Sequence, residues 1–197
     1  MNKVLKILLL LINSYSVCTG QDVTVEKKFC SSQNGYKLFL RLQNSDSVLS
    51  STTFYDLKGF TSLTDDIKLV IIEKLLWYKN DTSKCCLPVS GYVHNYNEGC
   101  SGTPQSKYYN IQVDALFMIG RLCFSQLTDR YSCHPVLYDT EEKKEINSEP
   151  EKIKLVFEEY EKWYNECKSK GKIGDYFPFN DGRYVWYGGR KSVVAKE

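Results

Sequence analysis

One stretch of this 197-residue chain occurs twice. Residues 66–78 open on Asp66-Ile67-Lys68-Leu69-Val70 and close on Trp77-Tyr78. Residues 152–164 open on Lys152-Ile153-Lys154-Leu155-Val156 and close on Trp163-Tyr164 at the same distance, with Glu73 matched by Glu159. Self-similarity of this kind constrains a fold more than any single motif, because each copy is read as the same local unit. Other landmarks recur in the same order. Tyr55-Asp56 and Tyr138-Asp139 precede the copies, and Tyr96-Asn97-Glu98-Gly99 and Phe179-Asn180-Asp181-Gly182 follow them. The spacing varies by a few residues, as surface loops allow. The chain therefore reads as two tandem related units, residues 21–107 and 108–189, with a patternless tail at 190–197.

The repeated stretch has the period of a helix. In the first copy Ile67, Ile71, Leu75 and Tyr78 share one stripe; in the second Ile153, Val156, Phe157, Tyr160, Trp163, Tyr164 and Cys167 do the same. Ser148 and Glu151 have capping-box spacing ahead of the second copy, with Pro150 in the first turn. A third helix is expected at about 110–127, where Val113, Leu116, Phe117, Met118, Ile119 and Leu122 cluster. Residues 21–35 read as polar and extended. The run Tyr36 to Leu42 fits both a strand and a helix, and the helical character of the clearer elements favours helix. Residues 141–145 and Asn147 read as a solvated connection, and Asp181-Gly182 between aromatic runs reads as a hairpin turn. The expected fold is all-α, with at most one small β-hairpin, built from two helical units stapled by disulfides. Trp77 and Trp163, as equivalent residues, are both expected in the core.

Residues 1–20 have the form of a secretory signal peptide: Lys3 and Lys6, the apolar run Ile7 to Ile12, then Cys18 and Gly20 as small residues before Gln21. The apolar run is too short to span a bilayer. Without that segment the chain carries 24 basic and 24 acidic residues. Such neutrality argues against nucleic acid and against charge-driven membrane attachment as partners. Seven cysteines remain: Cys30, Cys85, Cys86, Cys100, Cys123, Cys133 and Cys167. In an oxidising compartment most are expected to pair, leaving a free thiol or a covalent homodimer through the odd one. No cysteine pair is matched by a second pair or by suitably placed histidines, so no zinc and no other cofactor is expected.

The sequence holds little that resembles catalysis. Only His94 and His134 are available as imidazole bases, and His134 adjoins Cys133 in a spacing that disfavours a nucleophile–base pair. No nucleophile elbow, phosphate loop or metalloprotease helix occurs. The aromatics Tyr176, Phe177, Phe179, Tyr184, Trp186 and Tyr187 are too many for one small segment to bury and form a candidate binding surface. Asn80-Asp81-Thr82 is an N-glycosylation sequon.

Cysteine–tyrosine–cysteine blocks punctuate both halves: Cys86, Tyr92 or Tyr96, and Cys100 in the first; Cys123, Tyr131 and Cys133 in the second. With the signal segment and the tandem halves, this pattern resembles the BICYCLE proteins, secreted salivary effectors of aphids and related insects. The resemblance implies a mainly helical, disulfide-bonded protein, delivered into a plant, that binds a host macromolecule and has no enzymatic activity. The competing expectation is a secreted ligand-binding or enzyme-inhibiting protein that acts within the animal.

Overall fold

A computed structural model describes residues 23–42, 48–50, 63–89, 103–124, 134–174, 178 and 182–188. The expected signal segment, the tail and the flanking repeat landmarks before residue 63 and at 96–99 lie outside these residues, as do Tyr176, Phe177, Phe179, Cys100 and Cys133.

The described residues open with antiparallel strands, and the run Tyr36 to Leu42 is a strand and not the expected helix. Strands β1 (Val23–Cys30) and β2 (Gly35–Leu42) form a hairpin, and β3 (Val48–Ser50) adds to the far side of β2. Leu38, Leu40 and Leu42 are buried at alternate positions while Arg41 is exposed, so the two-residue period decides this stretch. Helix α1 (Asp65–Leu76) follows and runs into a 3₁₀ turn, Trp77–Asn80. Helix α2 (Ile111–Phe124) comes next, then β4 (Leu137–Asp139) and β5 (Lys144–Glu145), helix α3 (Pro150–Lys170) and β6 (Tyr184–Trp186). The second sheet has the order β5-β4-β6, all antiparallel. The fold is mixed α/β, which corrects the all-α expectation. In β2 a helical stripe competes with the strand alternation, and the strands of the second sheet are only two or three residues long, too short to show a period.

Helix α2 is the axis of the core. Every residue from Ile111 to Leu122 is buried, including Gln112, Asp114 and Arg121, as expected of a helix enclosed on all sides. Asn110 caps it, its side-chain oxygen accepting the Val113 N–H at 2.9 Å. Asp114 accepts the N–H of Leu38 in β2 at 3.3 Å, and Phe117 packs edge-on against Trp186 of β6 at 5.1 Å. One hydrophobic cluster runs from Val23 to Trp186, so the two halves share a single core.

Helix α3 buries Ile153, Val156, Phe157, Tyr160, Trp163, Tyr164 and Cys167, the stripe read from the sequence. It ends at Gly171 in the left-handed region (φ 61°), and the Lys172 N–H returns to the Cys167 carbonyl at 3.2 Å, a Schellman closure. The expected capping box does not form: Glu149, not Ser148, is the N-cap, and no side chain caps it. Asn147 is buried, not solvated; it accepts from Leu137 N and donates to Pro135 O, both at 2.9 Å. Residues 141–144 are exposed, and 144–145 pair as β5.

The repeated helices do not bury equivalent faces. Ile71 and Phe157 are both fully buried. Leu69 is buried, however, where Leu155 is 44% exposed, and Val70 is 44% exposed where Val156 is buried. Trp77 is 76% exposed while Trp163 is 2% exposed, so the expectation of two core tryptophans holds for one of them. Helix α1 packs against β1 as well as α2 and α3, and that third neighbour turns a different face inward.

Candidate functional site

The most constrained surface lies where the β1–β2 hairpin meets residues 83–86. Those residues run along the turn end of the hairpin, beside Gly35 and Tyr36, as an extended segment. Tyr36 N donates to Lys84 O at 2.9 Å and Cys86 N to Tyr36 O at 2.8 Å. On the other side Cys85 N donates to Tyr109 O, and Ile111 N to Ser83 O, both at 2.9 Å. The Cys30–Cys86 disulfide closes the same crossing, its Cα atoms 6.1 Å apart. Gly35 is required there: a Cβ would lie 2.9 Å from both Cys86 N and Lys84 O.

Aromatic rings and ammonium groups stand on this platform. Phe29 is 58% exposed and meets Tyr36 edge-on at 5.3 Å. Lys27 sits 4.2 Å from the Tyr36 ring centre and 2.6 Å from the Asp81 carboxylate. Burial works against the charge of Asp81, but Lys27 and the Ser83 hydroxyl and N–H hold its carboxyl below the usual range. Lys84 lies 4.3 Å from the ring of Tyr108, which is 57% exposed. On the opposite face of the hairpin Lys28 and Lys37 flank the Phe39 ring, at 5.2 and 4.6 Å. Cations over aromatic faces hold the rings in place without burying them.

Beside Tyr108 a cleft of about 330 Å³ opens between residues 82–84, 108–110 and the start of α3. Thr82, Lys84, Tyr108, Tyr109, Asn110, Asn147, Ser148 and Pro150 line it. Asn110 and Asn147 are committed to capping and to holding β4, and Tyr109 is 3% exposed. The groups left to meet a ligand are the Thr82 and Ser148 hydroxyls, the Lys84 ammonium, and the Tyr108 ring.

A second polar cluster is structural. Asp139 is fully buried; its Oδ1 accepts the N–H groups of Glu141 and Glu142 at 3.0 and 3.1 Å, and Oδ2 meets Lys152 at 3.2 Å. Burial raises its carboxyl, and these donors outweigh that and hold it low. The arrangement fixes the β4–β5 turn to α3.

The residues singled out in the sequence fall in several places. Tyr184 and Trp186 are buried, so they form no surface; the Trp186 indole N–H donates to Tyr160 OH at 3.1 Å. Tyr187 is half-buried against His134 and Tyr138. Asp181 of the expected Asp-Gly turn lies outside the described residues; β6, which follows it, pairs with β4. Asn80 and Thr82 are exposed, with Asp81 extended between them, so the sequon is accessible. Among the described cysteines, Cys30 and Cys86 are bonded, while Cys85, Cys123 and Cys167 are free thiols. Burial, with the Asp114 carboxylate nearby, pushes the Cys85 thiol up to about 12. Among the described residues no group of three His, Cys, Asp or Glu side chains is placed to hold a metal ion, and no helix is long and apolar enough to cross a membrane. Sequence reasoning missed Lys84 and Tyr108. The adjacent pair Tyr108-Tyr109 before the capping Asn110 was their one signal, since such a pair in an extended run turns one ring in and one out.

Comparison with protein-family models, with curated proteins and with solved structures finds no match to this chain.

Proposed function

We propose that this chain is a secreted, non-catalytic effector that binds a host macromolecule through its hairpin platform. The observation that carries the binding part is the set of exposed aromatic rings, Phe29 and Tyr108, held at a disulfide-locked crossing, with the Lys84 ammonium on Tyr108 and Lys27 on the Tyr36 ring that Phe29 meets. Rigid aromatics presented to solvent beside cations are the residue types that dominate binding surfaces, because little conformational freedom is lost when a partner covers them. The exposed Trp77 at the end of α1 adds a further large apolar surface. Export rests on the form of residues 1–20, and delivery into a plant rests on the resemblance of the cysteine–tyrosine–cysteine blocks and tandem halves to the BICYCLE effectors.

The test uses the chain from Gln21 onward, immobilised, and a Phe29→Ser/Tyr108→Ser variant with the same circular dichroism. Both are exposed to plant extract and to body fluid of the source animal. The expected result is a partner retained from plant extract by the native chain and at least about tenfold depleted on the variant, the scale of one lost anchor. A partner drawn only from the animal's own fluid, or equal retention by the variant, overturns the reading.

A further inference from the structure

The cleft beside Tyr108 is bordered by acidic groups that are already engaged and by an ammonium that is not. Each acidic group around it already has a partner. Asp81 is paired with Lys27 at 2.6 Å, and Glu149 with Lys144 at 3.0 Å and Lys152 at 3.4 Å. The Glu145 carboxylate accepts the N–H groups of Gln105 and Ser106, both at 2.6 Å. Lys84 meets no carboxylate among the described residues; its ammonium rests on the Tyr108 ring. Lys84 therefore stands at the cleft without a carboxylate partner among the described residues, on a wall of hydroxyl groups, next to a flat ring that is 57% exposed.

Each feature narrows the ligand. A volume of about 330 Å³ lies at the small end of ligand clefts and suits one or two rings. An apolar ligand would leave the Thr82 and Ser148 hydroxyls without hydrogen-bond partners, which is costly. A phosphate dianion calls for several donors or cations converging on one point, whereas Lys84 is a single ammonium. A ring that carries hydroxyl groups on its edges, an apolar face and one carboxylate satisfies all of these groups together. We infer that the cleft is a binding site for an acidic saccharide, with the carboxylate of a uronic acid on Lys84. Its ring lies against Tyr108, and its hydroxyls meet Thr82 and Ser148. Pro150 lines the cleft with an apolar ring where another residue would offer an N–H. This inference rests on the reading of the chain as a binding protein and names a ligand class for the Tyr108 side of that surface, leaving Phe29 to the macromolecular partner.

Calorimetric titration of the full mature chain with trigalacturonate, with a neutral glucan trisaccharide and with inorganic phosphate tests it. The expected result is saturable binding of trigalacturonate, with the neutral trisaccharide and phosphate each at least about tenfold weaker, the factor expected of one charge-assisted contact. Lys84→Gln is expected to weaken trigalacturonate about tenfold, and Tyr108→Ala by a similar factor, with melting temperatures close to that of the native chain because both side chains are exposed. Lys84→Glu, a second variant at the same position, is expected to abolish binding. Phosphate competing as well as the sugar acid overturns the saccharide assignment in favour of a plain anion site. Absence of trigalacturonate binding, or binding indifferent to Lys84 and Tyr108, overturns it outright. In either case a host partner that is retained by the native chain and lost on Phe29→Ser alone, with Tyr108 in place, leaves the effector reading standing, so the two can fail separately.

Discussion

Trp163 and Trp77 are the same letter at the same place in the repeat, and their replacement is expected to have opposite consequences. Trp163→Ala empties a position that is 2% exposed and is expected to cost about 3–5 kcal/mol. Trp77→Ala, at 76% exposure, is expected to stay within about 0.5 kcal/mol; thermal melts of the two variants check the difference. Nothing in either copy announces which indole faces inward, because the deciding factor is the neighbour that each helix meets. Lys84 and Tyr108 were unreadable for the same reason, since they sit 24 residues apart in sequence and meet through backbone pairing. Asp139 gives a pH-dependent prediction. Its folded carboxyl sits below the unfolded value of about 3.9. Its stabilisation is therefore complete above the ordinary carboxylate range and is lost as pH falls through the lower folded value. Asp139→Asn is expected to cost about 3 kcal/mol at neutral pH, as when a buried charge loses its partners. It should also flatten the acid limb of a stability-against-pH curve; a limb of unchanged slope would assign acid sensitivity to other carboxylates.

At the level of elements, the crossing of residues 83–86 over the hairpin is the joint on which the platform depends. The Cys30–Cys86 bond closes a span of 56 residues, and its loss through Cys86→Ser is expected to cost about 4 kcal/mol by loop-entropy reasoning. Gly35→Ala, which drives a methyl group into the backbone of Lys84 and Cys86, is expected to cost about 1–3 kcal/mol with the disulfide intact. Denaturant midpoints for the two variants separate the covalent from the packing contribution. The helices of this chain were legible in outline: α3 and α2 bury the apolar positions their sequences mark, and α3 does so residue by residue. The strands were not. In β2 the alternation of Leu38, Leu40 and Leu42 was present, but a helical stripe through Leu38, Phe39 and Leu42 competed with it. What decided between them was β1, through pairings such as Val25 with Leu40. Strands β4 and β6 are only three residues each, too short for any period to register.

Across the whole molecule, the free thiols report on integrity. Cys85 and Cys167 are buried, and Cys85 carries a thiol raised to about 12 by burial and the nearby Asp114. Iodoacetamide at pH 8 is expected to label Cys85 only as the chain unfolds, since the thiolate is the reactive species; rapid labelling of the native protein, mapped by peptide mass, would contradict the burial. The single core shared by both halves also sets an order of events. Strand β6 pairs with β4, whose residues precede it by more than the 21 residues of α3, and it delivers Trp186 between Phe117 of α2 and Tyr160 of α3. A nascent chain emerges from its N-terminus first. The hairpin, the disulfide crossing and all three described helices are therefore synthesised while the socket for Trp186 is still open. Until the last strand arrives, the growing polypeptide presents unfilled apolar walls to whatever surrounds it, so the interval before residue 186 is the period when it most needs a chaperone.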